Sequence, residues 1–218
     1  MPNWTYNTAV ITGAEADVKA LINKIESDYF TEDEGQFTLV ELTNCMPMPG
    51  VFEGLTQGSR TIDGVRCDVW YEDPDGPRPL LDIVKEDIIK EHGTYEPVDW
   101  QYRNWGTKWG DCDTKILDTE YKNDRGKLTI KFDSAWGEPF LLLNHIAREY
   151  DLHITNSWTI ELDNGSGMSD YPWSDEDTKE AIDHFGCLTH GTNGKFFTIV
   201  RLILYFVPKN IFTKSLKI

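Results

Sequence analysis

The chain has 218 residues, 39% of them hydrophobic and 12% aromatic, enough for a packed core and against disorder as a description of the whole. Its net charge is −16, and the five basic residues Lys195, Arg201, Lys209, Lys214 and Lys217 fall in a terminal stretch without acids; setting those five apart from the 21 basic residues leaves 16 against 37 acidic ones, a body of −21. A body that acidic repels phosphates, so direct binding of nucleic acid is not expected, whereas a cation or a basic protein suits it.

Thr8 to Thr12 is a short β-type run, and Thr12-Gly13-Ala14-Glu15 reads as a capping box opening a helix. Val18, Leu21, Ile22 and Ile25 then recur at helical spacing. Phe37 to Leu42 alternates as a strand, and Met46 to Gly50 is a turn-rich exit from it. Glu72 to Pro79 reads as an exposed loop, with Pro79 opening a helix whose stripe is Leu81, Val84 and Ile88 and whose stop is Gly93. Thr114 to Thr119 and Leu128 to Asp133 are strands joined by a turn through Asn123, Asp124 and Gly126. Pro139 to Tyr150 is a helix with Leu142, Leu143 and Ile146 inward, and His153 to Leu162 is a strand. Gly165 to Tyr171 reads as a loop. Ser174 caps an acidic helix that ends at Gly186, and Phe196 to Val207 is a β-rich apolar run. That last run is interrupted by Arg201 and falls short of the roughly 18 apolar residues of a membrane span.

With residues from about 44 to 112 set aside as an insertion, the order is β-α-β followed by β-(β)-α-β. The expected fold is α+β, a split β-α-β sandwich with helices on one face of an antiparallel sheet. Residues 1–162 would form that domain, and 163–218 would be a C-terminal extension packed on it.

Three motifs carry a resemblance: Met1-Pro2-Asn3-Trp4 followed by Asn7; Trp105-Gly106-Thr107-Lys108-Trp109; and the run from Phe132 to Pro139 containing Ser134-Ala135-Trp136. In order and spacing they resemble the YubB-type ferredoxin-like proteins of bacterial plasmids and phages. The resemblance implies a fold and a mobile-element origin. It implies no catalytic activity and no cofactor.

The candidate ligand-binding residues are Trp105, Lys108, Trp109 and Trp136, whose indoles can stack on a ligand while Lys108 supplies charge. The opposing reading makes the indoles a structural clasp, with the glycine permitting a tight bend. Asp170, Asp175, Glu176, Asp177 and Glu180 form an acidic run that is the candidate partner surface; such runs also suit a helix N-terminus. Asp111 and Asp113, two apart, could share a strand face and serve a metal-dependent enzyme. His184-x-x-Cys187-x-x-His190 has metal-like spacing, with Cys45 or Asp183 to complete a set, but carries a single cysteine, so no resident metal is expected. Cys45, Cys67, Cys112 and Cys187 form no C-x-x-C pair, and the start shows no signal-peptide pattern, so reduced thiols in a cytoplasmic setting are expected. Nucleophile elbows, P-loops and dinucleotide fingerprints are absent from the sequence.

These features lead to a non-enzymatic accessory protein of a phage or plasmid that binds a bacterial host protein in the cytoplasm. An acidic inhibitor of a host defence nuclease or defence complex is one form of this. A nucleotide-like ligand module and the Asp111/Asp113 enzyme are the alternatives. The apolar run near the end could supply a homo-oligomer edge.

Overall fold

The computed structural model describes residues 3–31, 35–162 and 165–189. Strand β1 (Trp4–Ala14) alternates throughout: Thr5, Asn7, Ala9, Ile11 and Gly13 are buried, and the residues between them are half-buried or exposed. Helix α1 (Glu15–Ile25) buries Val18, Leu21 and Ile25, the stripe its spacing foretells. The expected capping box does not form. Thr12 is held in the β1 ladder opposite Lys127 and His153, and Ala14 occupies the cap position without a side-chain bond. The Glu15 N–H donates instead to the Asp124 carbonyl at 3.0 Å, so a distant hairpin turn caps the helix.

The chain then leaves the main sheet. Among the described residues, strands β2 (Glu26–Thr31) and β3 (Gly35–Val40) pair only with each other, and β4 (Leu55–Ile62), β5 (Val65–Asp73) and β6 (Gly76–Pro79) form a separate three-stranded sheet. The strand expected at Phe37 to Leu42 is therefore real in part but belongs to a side hairpin, because alternation marks a strand without naming its neighbour. Pro79 ends β6 and does not open a helix; α2 (Asp82–His92) starts later and closes at Gly93 in the left-handed conformation, φ 79°. A further helix, α3 (Pro97–Trp105), was not expected; Pro97 sits at its permissive first turn and Gly106 ends it at φ 85°.

The main sheet resumes with β7 (Lys108–Lys122) and β8 (Arg125–Ala135), so the departure from it spans 26–107 and not about 44–112. Asn123 and Asp124, at φ 51° and 59°, make the two-residue turn between them, the primed type that matches strand twist. Helix α4 (Phe140–Glu149) fully buries Leu142, Leu143 and Ile146, each worth about 1.5–3 kcal/mol of apolar transfer. Strand β9 (His153–Ile160) follows. Ser166–Tyr171, expected as a loop, is strand β10, paired along β9. Gly167 allows this, since a Cβ there would collide with the Trp158 ring. Helix α5 (Asp175–Thr189) begins with the expected Ser174 cap, whose hydroxyl accepts from the Asp177 N–H at 3.1 Å, and runs past Gly186 without stopping. The apolar run Phe196 to Val207 lies outside the described residues.

The sheet order is β10-β9-β1-β8-β7, antiparallel throughout. Leaving out β10, this is a split β-α-β sandwich in which β1 and β7 flank β8 and α1 and α4 follow β1 and β8. One face carries Ala9, Ile11, Leu128, Ile130, Phe132 and Ile154 into the core with both helices. Phe52, Val69, Leu80, Ile88, Trp100 and Trp105 from the inserted region join the same core. Tyr6, Lys131, Ser157, Thr159 and Met168 are exposed on the outer face.

Candidate binding surface at the Trp-rich end of the sheet

The Trp105 to Trp109 stretch splits in two because a helix ends inside it. Trp105 is the last residue of α3, buried against Trp100 edge-to-face at 5.5 Å, and its indole N–H donates to the Met46 carbonyl at 2.9 Å. Its expected role as a ligand platform is therefore corrected: the ring is spent inside the core. Gly106 turns the chain back, and a Cβ there would lie 2.6 Å from the Phe140 ring. The buried Thr107 hydroxyl donates to the Ala135 carbonyl and pins the return to β8. The clasp reading thus describes Trp105 to Thr107.

Lys108 and Trp109 point elsewhere. Trp109 has φ 55°, and its ring meets Trp4 at 5.9 Å with a 35° tilt. Trp4 and Lys108 both pair with Ala135, which is fully buried, so the register brings the start of β1 and the start of β7 to the same end of β8. The Lys108 ammonium stands 4.4 Å from the Trp109 ring centre, a cation–π contact. Trp136 follows at φ 73°, with its N–H donating to the Asn3 carbonyl at 2.8 Å. Tyr6, Trp109 and Trp136 are 39%, 38% and 41% exposed, large values for rings that could have been buried. Three of the four expected ligand residues, Lys108, Trp109 and Trp136, are therefore brought to one end of the sheet.

Asp133 completes this end. It lies directly opposite Tyr6 on the outer face and beside Cys112, and its Oδ1 is buried without a hydrogen-bond partner among the described residues. Burial holds its carboxyl above the usual range, with Lys131 and Lys115 pulling down and Asp113 pushing up. Neither Tyr6 nor Asp133 was a candidate site residue in the sequence; the signal was their place within the motifs, Tyr6 between Trp4 and Asn7 and Asp133 after Phe132.

Behind the surface lies a polar network. The loop from Trp136 to Pro139 sends Trp136 outward and Glu138 inward over the core face of the sheet. The Glu138 carboxylate accepts from Asn156 Nδ2 at 2.9 Å and Ser169 Oγ at 2.6 Å. The Tyr171 hydroxyl and the Trp158 indole N–H are directed at the same carboxyl but stop short of hydrogen-bond geometry. Asn156 also donates to Asn7 Oδ1 at 3.0 Å, Asn7 to Ser134 Oγ at 2.9 Å, and Ser134 to the Gly137 carbonyl at 2.6 Å. Burial raises the Glu138 carboxyl above its ordinary value, against the donors that lower it. The network fixes the turn that presents Trp136. Asn7 and Glu138 lay within the motifs, but Asn156, Ser169 and Tyr171 did not, since their meeting depends on strands far apart in sequence.

The remaining candidates have local duties. Asp111 accepts from the Leu42 and Thr43 N–H groups at 2.7 and 3.0 Å and from the Thr114 hydroxyl at 2.7 Å, anchoring a short 3₁₀ turn to β7. Asp113 sits at φ 50°, and register shifts on either side of Cys112 break the regular strand that would have given the pair a common face. Among the described residues no group of three or more His, Cys, Asp or Glu is placed to hold a metal ion. The side chains of His184 and Cys187, and all of His190, lie outside the described residues. Burial raises the Cys45 thiol to about 11, far from a reactive thiolate. Asp170 accepts from Thr155 at 2.6 Å on the outer face of β10, Asp175 pairs with Arg148 at 2.6 Å, and Asp177 completes the Ser174 cap. Glu176 and Glu180 are exposed on α5. The acidic run is thus divided between a sheet edge and a helix start. No helix of the described residues is long and apolar enough to cross a membrane.

No curated protein and no solved structure matches the chain. Residues 105–190, beginning at the clasp tryptophan, match the family described as the ferredoxin-like domain in Api92-like protein, and sheet order and family match agree on a ferredoxin-like domain.

Proposed function

We propose that this chain is a non-enzymatic interaction protein of a phage or plasmid, related to the YubB-type proteins, which binds a bacterial host protein in the cytoplasm. The observation that carries the reading is the exposed aromatic end of the sheet, Tyr6, Trp109 and Trp136, in a body of charge −21. Exposed indoles and phenols are the side chains that most often anchor protein interfaces, and contiguous exposed apolar surface marks such sites. The acidic body selects a basic partner and speeds encounter with it. A defence nuclease offers such a surface in its DNA-binding cleft, where carboxylates would stand in for phosphates.

The ligand-platform alternative loses Trp105 to the core. The enzyme alternative loses Asp111, whose oxygens are engaged by three donors. A tagged chain exposed to bacterial lysate should capture a basic protein at low salt and release it at high salt. The double variant Trp109→Ala, Trp136→Ala should lose the capture. Capture of nothing, or capture indifferent to both salt and the variant, overturns the reading.

A further inference from the structure

The outer face at this end of the sheet combines two things that answer one chemistry. The first is a set of ring faces: Trp4 and Trp109 at 5.9 Å, with Tyr6 two residues along β1 from Trp4. The second is the carboxylate of Asp133, half-buried directly opposite Tyr6 and without a hydrogen bond or ion pair to any described residue. A half-buried carboxylate that no neighbour pairs with keeps acceptor capacity for a charged donor. The Lys108 ammonium already stands 4.4 Å from the centre of the Trp109 ring, a cation–π contact.

We propose that Trp4, Tyr6, Trp109 and Asp133 form a receptor for an arginine side chain presented by the basic partner. This rests on the protein-binding reading above and names the group it recognises. A guanidinium is planar, weakly hydrated and rich in donors, so it stacks on an indole while directing an N–H at a carboxylate; a lysine ammonium, compact and strongly hydrated, does this less well. The acidic body supplies the complementary field. Lys108 acts as a resident competitor for the Trp109 face, which the incoming guanidinium displaces or shares.

The test uses the full chain and a glycine peptide with one arginine, beside the same peptide with citrulline, its neutral isostere. Indole N–H resonances of Trp4 and Trp109, assigned with Trp4→Phe and Trp109→Phe, should shift with the arginine peptide and bind the citrulline one about fivefold more weakly. Asp133→Asn should weaken the arginine peptide by about fivefold as well, and Lys108→Ala should not weaken it. Equal response to both peptides, indifference to Asp133→Asn, loss of binding in Lys108→Ala or no shift at these two indoles each overturns the proposal. So does concentration-dependent dimerisation in sedimentation that Trp109→Phe abolishes, which would assign the face to a second copy. Peptide failure with salt-sensitive lysate capture intact removes only the arginine receptor; failure of both removes the protein-binding reading too.

Discussion

Replacing Glu138 by glutamine and by alanine separates the charge of its carboxyl from its hydrogen bonds. Alanine removes the acceptor of Asn156 Nδ2 and of Ser169 Oγ, at 2.9 and 2.6 Å. Asn156 keeps Asn7 Oδ1 at 3.0 Å, and Ser169 is half-buried and can turn to water. The loss should therefore fall at the low end of about 1–3 kcal/mol for each bond, roughly 2–3 kcal/mol in all. Glutamine keeps an acceptor for Asn156 and a donor for the Ser169 oxygen but never ionises, so it should cost less than alanine. Burial raises the folded-state carboxyl above its ordinary value of 4.5, so the folded form holds the proton more tightly than the unfolded form. The stability this contributes is complete below that ordinary value and is lost as pH rises through the folded one. Wild type should therefore lose ground to Glu138→Gln between about pH 5 and pH 8. Urea unfolding followed by tryptophan fluorescence at the two pH values measures it. The raised carboxyls of Glu41, Glu96 and Asp133 are common to both proteins and cancel in the difference. A wild-type-minus-Gln difference that stays constant over this range would refute the burial argument, and an alanine variant as stable as wild type would refute the network.

Asp111→Ala should destabilise by roughly 2–4 kcal/mol, because the Leu42 and Thr43 N–H groups and the Thr114 hydroxyl lose a charged acceptor together; chemical unfolding indistinguishable from wild type would remove its anchoring role. Gly106→Ala places a side chain at φ 85° and a Cβ 2.6 Å from Phe140, and should cost roughly 2–4 kcal/mol from left-handed strain and overpacking. A melting temperature unchanged by circular dichroism would show that the α3 end is not built as described.

The secondary elements near both ends of the fold were legible because their signals are local. Val18, Leu21 and Ile25 on α1, and Leu142, Leu143 and Ile146 on α4, recur at helical spacing, and that spacing alone selects a buried face. The polar turn at Asn123 and Asp124 likewise announced the β7–β8 hairpin. Where the reading failed, a long-range partner overrode a local rule. Thr12 looked like a cap until two neighbouring strands claimed it, Gly165 to Tyr171 looked like a loop until β9 supplied an edge, and Phe37 looked like sheet but paired in a side hairpin.

The candidate surface divides along the same line. The sequence determined that this chain would be acidic, rich in tryptophan and built as split β-α-β units, because charge, composition and periodicity are properties of the chain itself. Only the tertiary structure decided that Trp105 would be buried while Trp109 and Trp136, four and 31 residues on, would face outward. It also decided that Trp109 would meet Trp4, that Asp133 would stand opposite Tyr6, and that Glu138 would gather donors from β9 and β10. The physical reason is that a helix end with a left-handed glycine and a strand register set the direction of each side chain, and register is chosen by pairing across the sheet, not by neighbours in sequence.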